Sequence, residues 1–150
     1  MGLSILFLAL VSIIGNGPNN SCSCRPAAAN DFPHGANEVI QSTAKPVKQL
    51  RGNVMLQNGE PISEAVVEVY DYSGRDKRLP YGPESLKKRK AACLTDEKGE
   101  FCFTRLPAGK YVLKVGTQAP AGINYSFVIV NLIPDLRSRR KLEISLNLGT

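Results

Sequence analysis

The chain has 150 residues, 43% of them hydrophobic and 21% charged, with no Trp, one His and a formal net charge of +6. That length favours one domain with additions, and the composition is globular rather than fibrous or disordered. The single His, His34, limits the active sites that lean on this residue: triads, zinc centres and proton shuttles. The positive excess suits loose contact with phosphate, acidic glycan or lipid headgroups, and equally suits plain solubility.

The first segment, MGLSILFLALVSIIG, is apolar from Leu3 to Ile14 and broken only by Ser4 and Ser12. It is shorter than the roughly 20 residues that cross a bilayer. It reads as the apolar region of a secretory signal peptide without a charged lead-in, so residues 1–20 are set apart from the fold. Cys22 and Cys24 follow. Cys22 is a candidate lipidation site, although Asn19, Asn20 and Ser21 before it match a lipoprotein signal poorly. Residues 21–47 are rich in Asn, Ala, Pro and Ser and read as a flexible tether, with room for a short helix near Asn37–Ser42.

From residue 48 to 150 the pattern becomes that of strands. QLRGNVMLQ alternates through Leu50, Gly52, Val54 and Leu56. Asn58-Gly59 and Pro61 supply turn chemistry. AVVEVYDY is β-branched and aromatic, with Val67 and Val69 on one face and Glu68 on the other. Residues 73–90 form a polar insertion in which Pro80, Gly82 and Pro83 forbid a regular element. AACLT, EFCFTRL, KYVLKV, YSFVIVNLI and KLEISLNL complete seven strand-like segments. Gly109 is free to take positive φ in the turn LPAG. Seven alternating strands with almost no helical period predict an all-β fold, a seven-stranded antiparallel β-sandwich. Its predicted core is Val54, Val67, Val69, Phe101, Phe103, Leu106, Tyr111, Leu113, Val128, Val130 and Leu146.

RGNVMLQNGEPISEAVVEVYD followed by TDEKGEFCFTRLPAGKYVLKV resembles the carboxypeptidase regulatory-like domain, with Gly52, Val54, Gly59, Pro61, Ala65, Val67, Val69, Thr95, Asp96, Gly99, Phe101, Phe103, Leu106, Pro107, Gly109, Tyr111 and Leu113 at its motif positions. The resemblance covers residues 50 to 115. It implies a transthyretin-like (prealbumin-like) sandwich and looks like the short, exported, stand-alone bacterial members, whose domains are accessory modules. The same segment resembles collagen-adhesin B-type repeats, some of which form a Lys–Asn isopeptide. Lys48 and Asn147 are available here, but Val115 and Gly116 stand where the required acid would fall.

If Asp96–Gly99 closes a hairpin, Cys93 faces Cys102 on the neighbouring strand, at a separation a disulfide can bridge. Two basic runs remain as candidate anion-binding residues: Lys87, Lys88, Arg89 and Lys90, then Arg137, Arg139, Arg140 and Lys141. Tyr70, Tyr72, Tyr81 and Tyr125 are the aromatics available for a glycan. A zinc carboxypeptidase needs two His ligands, more than this chain has. The transthyretin-like purine-pathway hydrolases need several His and Arg and a different C-terminus. The sequence thus predicts no catalytic residues, no metal, no cofactor and no nucleic-acid partner. It predicts an exported, non-enzymatic interaction or structural module at the cell envelope with a protein or glycan partner, and membrane contact only through a signal or lipid anchor. The alternative is a module that binds carbohydrate or anionic polymer through the basic 73–90 loop.

Overall fold

The computed structural model describes residues 24–27, 37–72, 87–117, 124–137 and 140–147, and the statements below concern these residues. They form nine strands: β1 (Arg25–Pro26), β2 (Asn37–Val47), β3 (Leu50–Leu56), β4 (Val66–Asp71), β5 (Arg89–Leu94), β6 (Glu100–Phe103), β7 (Gly109–Gly116), β8 (Asn124–Leu132) and β9 (Leu142–Leu146). Six build one sheet in the order β1-β5-β4-β7-β8-β2, and three build a second in the order β6-β3-β9.

The fold is all-β, and each of the seven expected segments coincides with a strand. The strand number and the pairing differ from expectation. β1 and β2 lie where a tether was expected, and Asn37–Ser42 is strand rather than helix. β2 runs parallel to β8 and β3 parallel to β9, so the sheets are mixed rather than antiparallel. β2 is an edge, and an edge strand is held by backbone pairing with one neighbour. It therefore needs none of the apolar alternation by which the other strands are read.

The two sheets bury a common core. Val67, Val69, Leu113, Val115, Val128 and Val130 come from the large sheet, and Leu50, Val54, Phe101, Leu142, Ile144 and Leu146 from the small one. Each such side chain contributes roughly 1.5–3 kcal/mol by leaving water. Of the predicted core, Phe103 and Leu106 are only partly buried and pack against its rim. The other face of the large sheet is buried as well: Val112, Tyr125, Phe127 and Ile129 form a second apolar cluster, with Ala44 and Tyr72 against it.

The turns follow their sequence chemistry with one exchange. Gly59 (φ 88°) and Gly99 (φ 71°) take the left-handed conformation, whereas Gly109 starts β7 without it and Glu64 (φ 57°) adopts it instead. Gly52 is required for a different reason. A Cβ there would press on the Leu142 carbonyl, 2.8 Å from Leu142 Cβ and 2.9 Å from Phe101 Cε1. The absent side chain lets β9 and Phe101 close over β3. Gly52→Ala is expected to destabilise the fold by about 3 kcal/mol through overpacking, read as a lower urea midpoint with an unchanged m-value.

Candidate functional site

Ionisable side chains gather on the face of the large sheet turned away from the common core. Register places Glu68 of β4 beside Lys114 of β7 and Ala92 of β5. Between Val69↔Ala91 and Tyr70↔Arg89 the pairing slips by one residue. A bulge of this kind re-aims the side chains that follow it. Here it puts Arg89, rather than Lys90, on the face that carries Glu68.

Glu68 is fully buried. Its Oε1 accepts from Arg89 Nη1 at 2.7 Å and its Oε2 from Tyr70 Oη at 2.7 Å. Both carboxylate oxygens are therefore engaged within the fold, as a buried charge requires. Lys114 is also buried, and its Nζ lies 4.5 Å from the centroid of the Tyr125 ring, within reach of a cation–π attraction. Burial lowers the Lys114 pKa, against the pull of Glu68. Burial, and secondarily Glu68, raises that of Tyr125. The sequence signal of this network was the run AVVEVY: nearly continuous apolar residues around Glu68 mark a strand covered on both faces.

Cys93 is bonded to Cys24, with Cα atoms 5.7 Å apart. The expected Cys93–Cys102 bridge is thus corrected. The chain does not fold back as a hairpin after Asp96 but crosses to the other sheet, so β5 pairs with β1 and β4 while β6 pairs with β3. Cys93 lies in the common core. Cys102, next in sequence to the buried Phe101 and opposite Arg51, is only half-buried. Cys102 is itself disulfide-bonded. Cys22, the candidate for lipidation and the remaining cysteine of the four in the chain, lies outside the described residues.

The basic runs are divided by the fold. Arg89 serves Glu68. Lys90 pairs with Asp71 at 2.8 Å, a hydrogen bond that raises the lysine pKa. Lys141 reaches Glu100. Such exposed pairs contribute little to stability. Lys87, Lys88, Arg137 and Arg140 are exposed; Arg139 lies outside the described residues. Of the tyrosines considered for glycan stacking, Tyr70 and Tyr125 are buried, Tyr72 is half-buried, and Tyr81 lies outside the described residues with most of the 73–90 loop. Among the described residues no group of three or more His, Cys, Asp or Glu could hold a metal, and no helix is long and apolar enough to cross a membrane.

No family model matches the chain, and no curated protein matches it. Among solved structures it is similar to 3-chlorocatechol 1,2-dioxygenase from Rhodococcus opacus, at 13% identity over 67% of this chain and 69% of that one, with a TM-score of 0.30. A likeness at that level carries no argument about function.

Arg89→Ala is expected to cost about 3–5 kcal/mol, because it strands the Glu68 charge in the interior; urea unfolding checks it. A Lys whose folded pKa is depressed binds protons less readily than in the unfolded chain. Stability therefore rises with pH as the folded and then the unfolded form of Lys114 loses its charge, just below and up to the ordinary lysine value of 10.5. Urea midpoints across that window are expected to show a steeper alkaline rise for the native chain than for Lys114→Met. Cys24→Ser opens a loop with a sequence separation of 69 and is expected to lose about 4 kcal/mol. Non-reducing peptide mapping is expected to return the Cys24–Cys93 pair and no free Cys102.

Proposed function

We propose that the chain is an exported, non-enzymatic β-sandwich module of the carboxypeptidase regulatory-like, transthyretin-like kind, serving an interaction or structural role at the cell envelope. The observation that carries this reading is the bond between Cys24 and Cys93. It ties the segment just after the apolar N-terminal run into the edge of a folded domain, and such bonds form and persist chiefly in oxidising compartments. The state of Glu68 supports the non-enzymatic part. A general base must reach a substrate proton, and this carboxylate is shut from water and held by Arg89 and Tyr70.

The test is compartment and inertness. Expressed with its own N-terminus in a bacterial host, the protein is expected outside the cytoplasm with Cys24 and Cys93 oxidised. Reduced protein retained in the cytoplasm would overturn the exported role. Turnover of an ester, peptide or glycoside panel that is lost in Glu68→Gln would overturn the non-enzymatic one.

A further inference from the structure

Register and the short connections fix which loops meet at each end of the sandwich. β3, β5, β7 and β9 run in one direction; β2, β4, β6 and β8 run in the other. The connections β2–β3, β4–β5, β6–β7 and β8–β9 therefore share one end. β3–β4, β5–β6 and β7–β8 share the opposite end. Backbone hydrogen bonds agree: Tyr72 N donates to Lys110 O and Ile133 N to Val47 O at the first end, and Glu64 N to Thr95 O and Leu56 N to Glu60 O at the second.

This arrangement sorts charge. The described connections of the first end carry Lys48, Lys87, Lys88, Arg105, Arg137 and Arg140 against the acid Asp135, with Lys141 turned back to Glu100. Those of the second carry Glu60, Glu64, Asp96 and Glu97 against Lys98, and Arg25 there bonds Glu64 at 2.8 Å. Basic runs some fifty positions apart in sequence thus converge on one pole, joined by Lys48 and Arg105, which belong to neither run. Among the described residues the connections of one end are therefore net positive and those of the other net negative.

We infer that the basic pole is a docking surface for an acidic polysaccharide, an inference that rests on the reading of the chain as an interaction module. Lys87, Lys88, Arg105, Arg137 and Arg140 stand exposed on separate loops, and Lys48 is half-buried. Spread over separate connections, they complement a partner that presents many negative charges over an extended length. Ile133, the exposed large apolar side chain among the described residues, lies at the same pole and offers contact to the C–H face of a sugar ring.

The test is retention on immobilised alginate, with neutral dextran as control and salt raised from about 0.05 to 0.5 M to shorten the screening length. Lys87→Gln/Lys88→Gln/Arg137→Gln removes three positive charges from the basic pole. Gln57→Glu/Lys98→Glu changes net charge by the same amount at the acidic pole. All five positions are exposed, so both variants should fold. The native chain is expected to bind alginate, to release with salt and to ignore dextran. The first variant is expected to weaken binding by about tenfold or more, and the second to leave it within about twofold. Equal losses in the two variants, equal retention on dextran, or capture by phosphatidylglycerol vesicles without alginate binding would each overturn the inference. Export and oxidation are measured independently, so failure here leaves the module reading standing.

Discussion

The corner at Thr95–Gly99 holds the two sheets together, and the rest of the structure depends on it. Thr95 is buried. Its hydroxyl donates to the Ile62 carbonyl at 2.6 Å and accepts from the Ala65 amide at 2.9 Å, so one oxygen fastens this corner to the β3–β4 connection. Asp96 Oδ1 then accepts from the Lys98 and Glu100 amides, at 2.9 and 2.8 Å. Gly99 brings its carbonyl to the Val54 amide at 2.8 Å. The polar groups named here leave one ladder and are met before the next begins, as buried backbone requires. The crossing places β6 beneath the core rather than beside β5. It thereby decides which residues face inward, which cysteines can meet and at which end every later loop emerges.

The large sheet follows a different rule on each face. Toward the small sheet it is aliphatic. On its far face, apolar residues surround Glu68, Arg89, Lys114, Tyr70 and Tyr125. A single extra residue in β5 brings Arg89, in place of Lys90, to the buried carboxylate. Buried ion pairs add little net stability compared with apolar residues of the same shape, but they punish misalignment. A one-residue slip of β5 against β4 would separate Glu68 from Arg89, so the pair fixes the register of the two strands.

Much of this was legible in the sequence wherever side chains carry the pattern. Val54, Val67, Val69, Phe101, Tyr111, Leu113, Val128, Val130 and Leu146 declare a core because alternation and burial go together in a half-covered strand. Three features escaped. β2 is held through its backbone, and backbone pairing leaves no trace in composition. Arg89 belongs to a run that reads as solvated, and only the bulge, which has no residue signature here, turns it inward. The disulfide was misassigned because the loop DEKG suits a tight hairpin as well as a corner between sheets. The choice between them is made by Thr95, whose partners Ile62 and Ala65 lie thirty residues upstream. The convergence of the basic residues was equally hidden, since it depends on strand direction rather than on any local motif.

The covalent link at β1 has a bearing on quality control. β1 is two residues long and meets β5 through Arg25–Leu94 and Pro26–Cys93, too few contacts to persist unaided. While the sulfurs are joined, that short segment caps the flank of β5. Once they are reduced, β5 presents bare amides and carbonyls along a hydrophobic strand, an invitation to self-association. A molecule that fails to leave a reducing compartment would therefore carry its own mark for aggregation and removal, while one that reaches an oxidant seals the vulnerable margin as it matures.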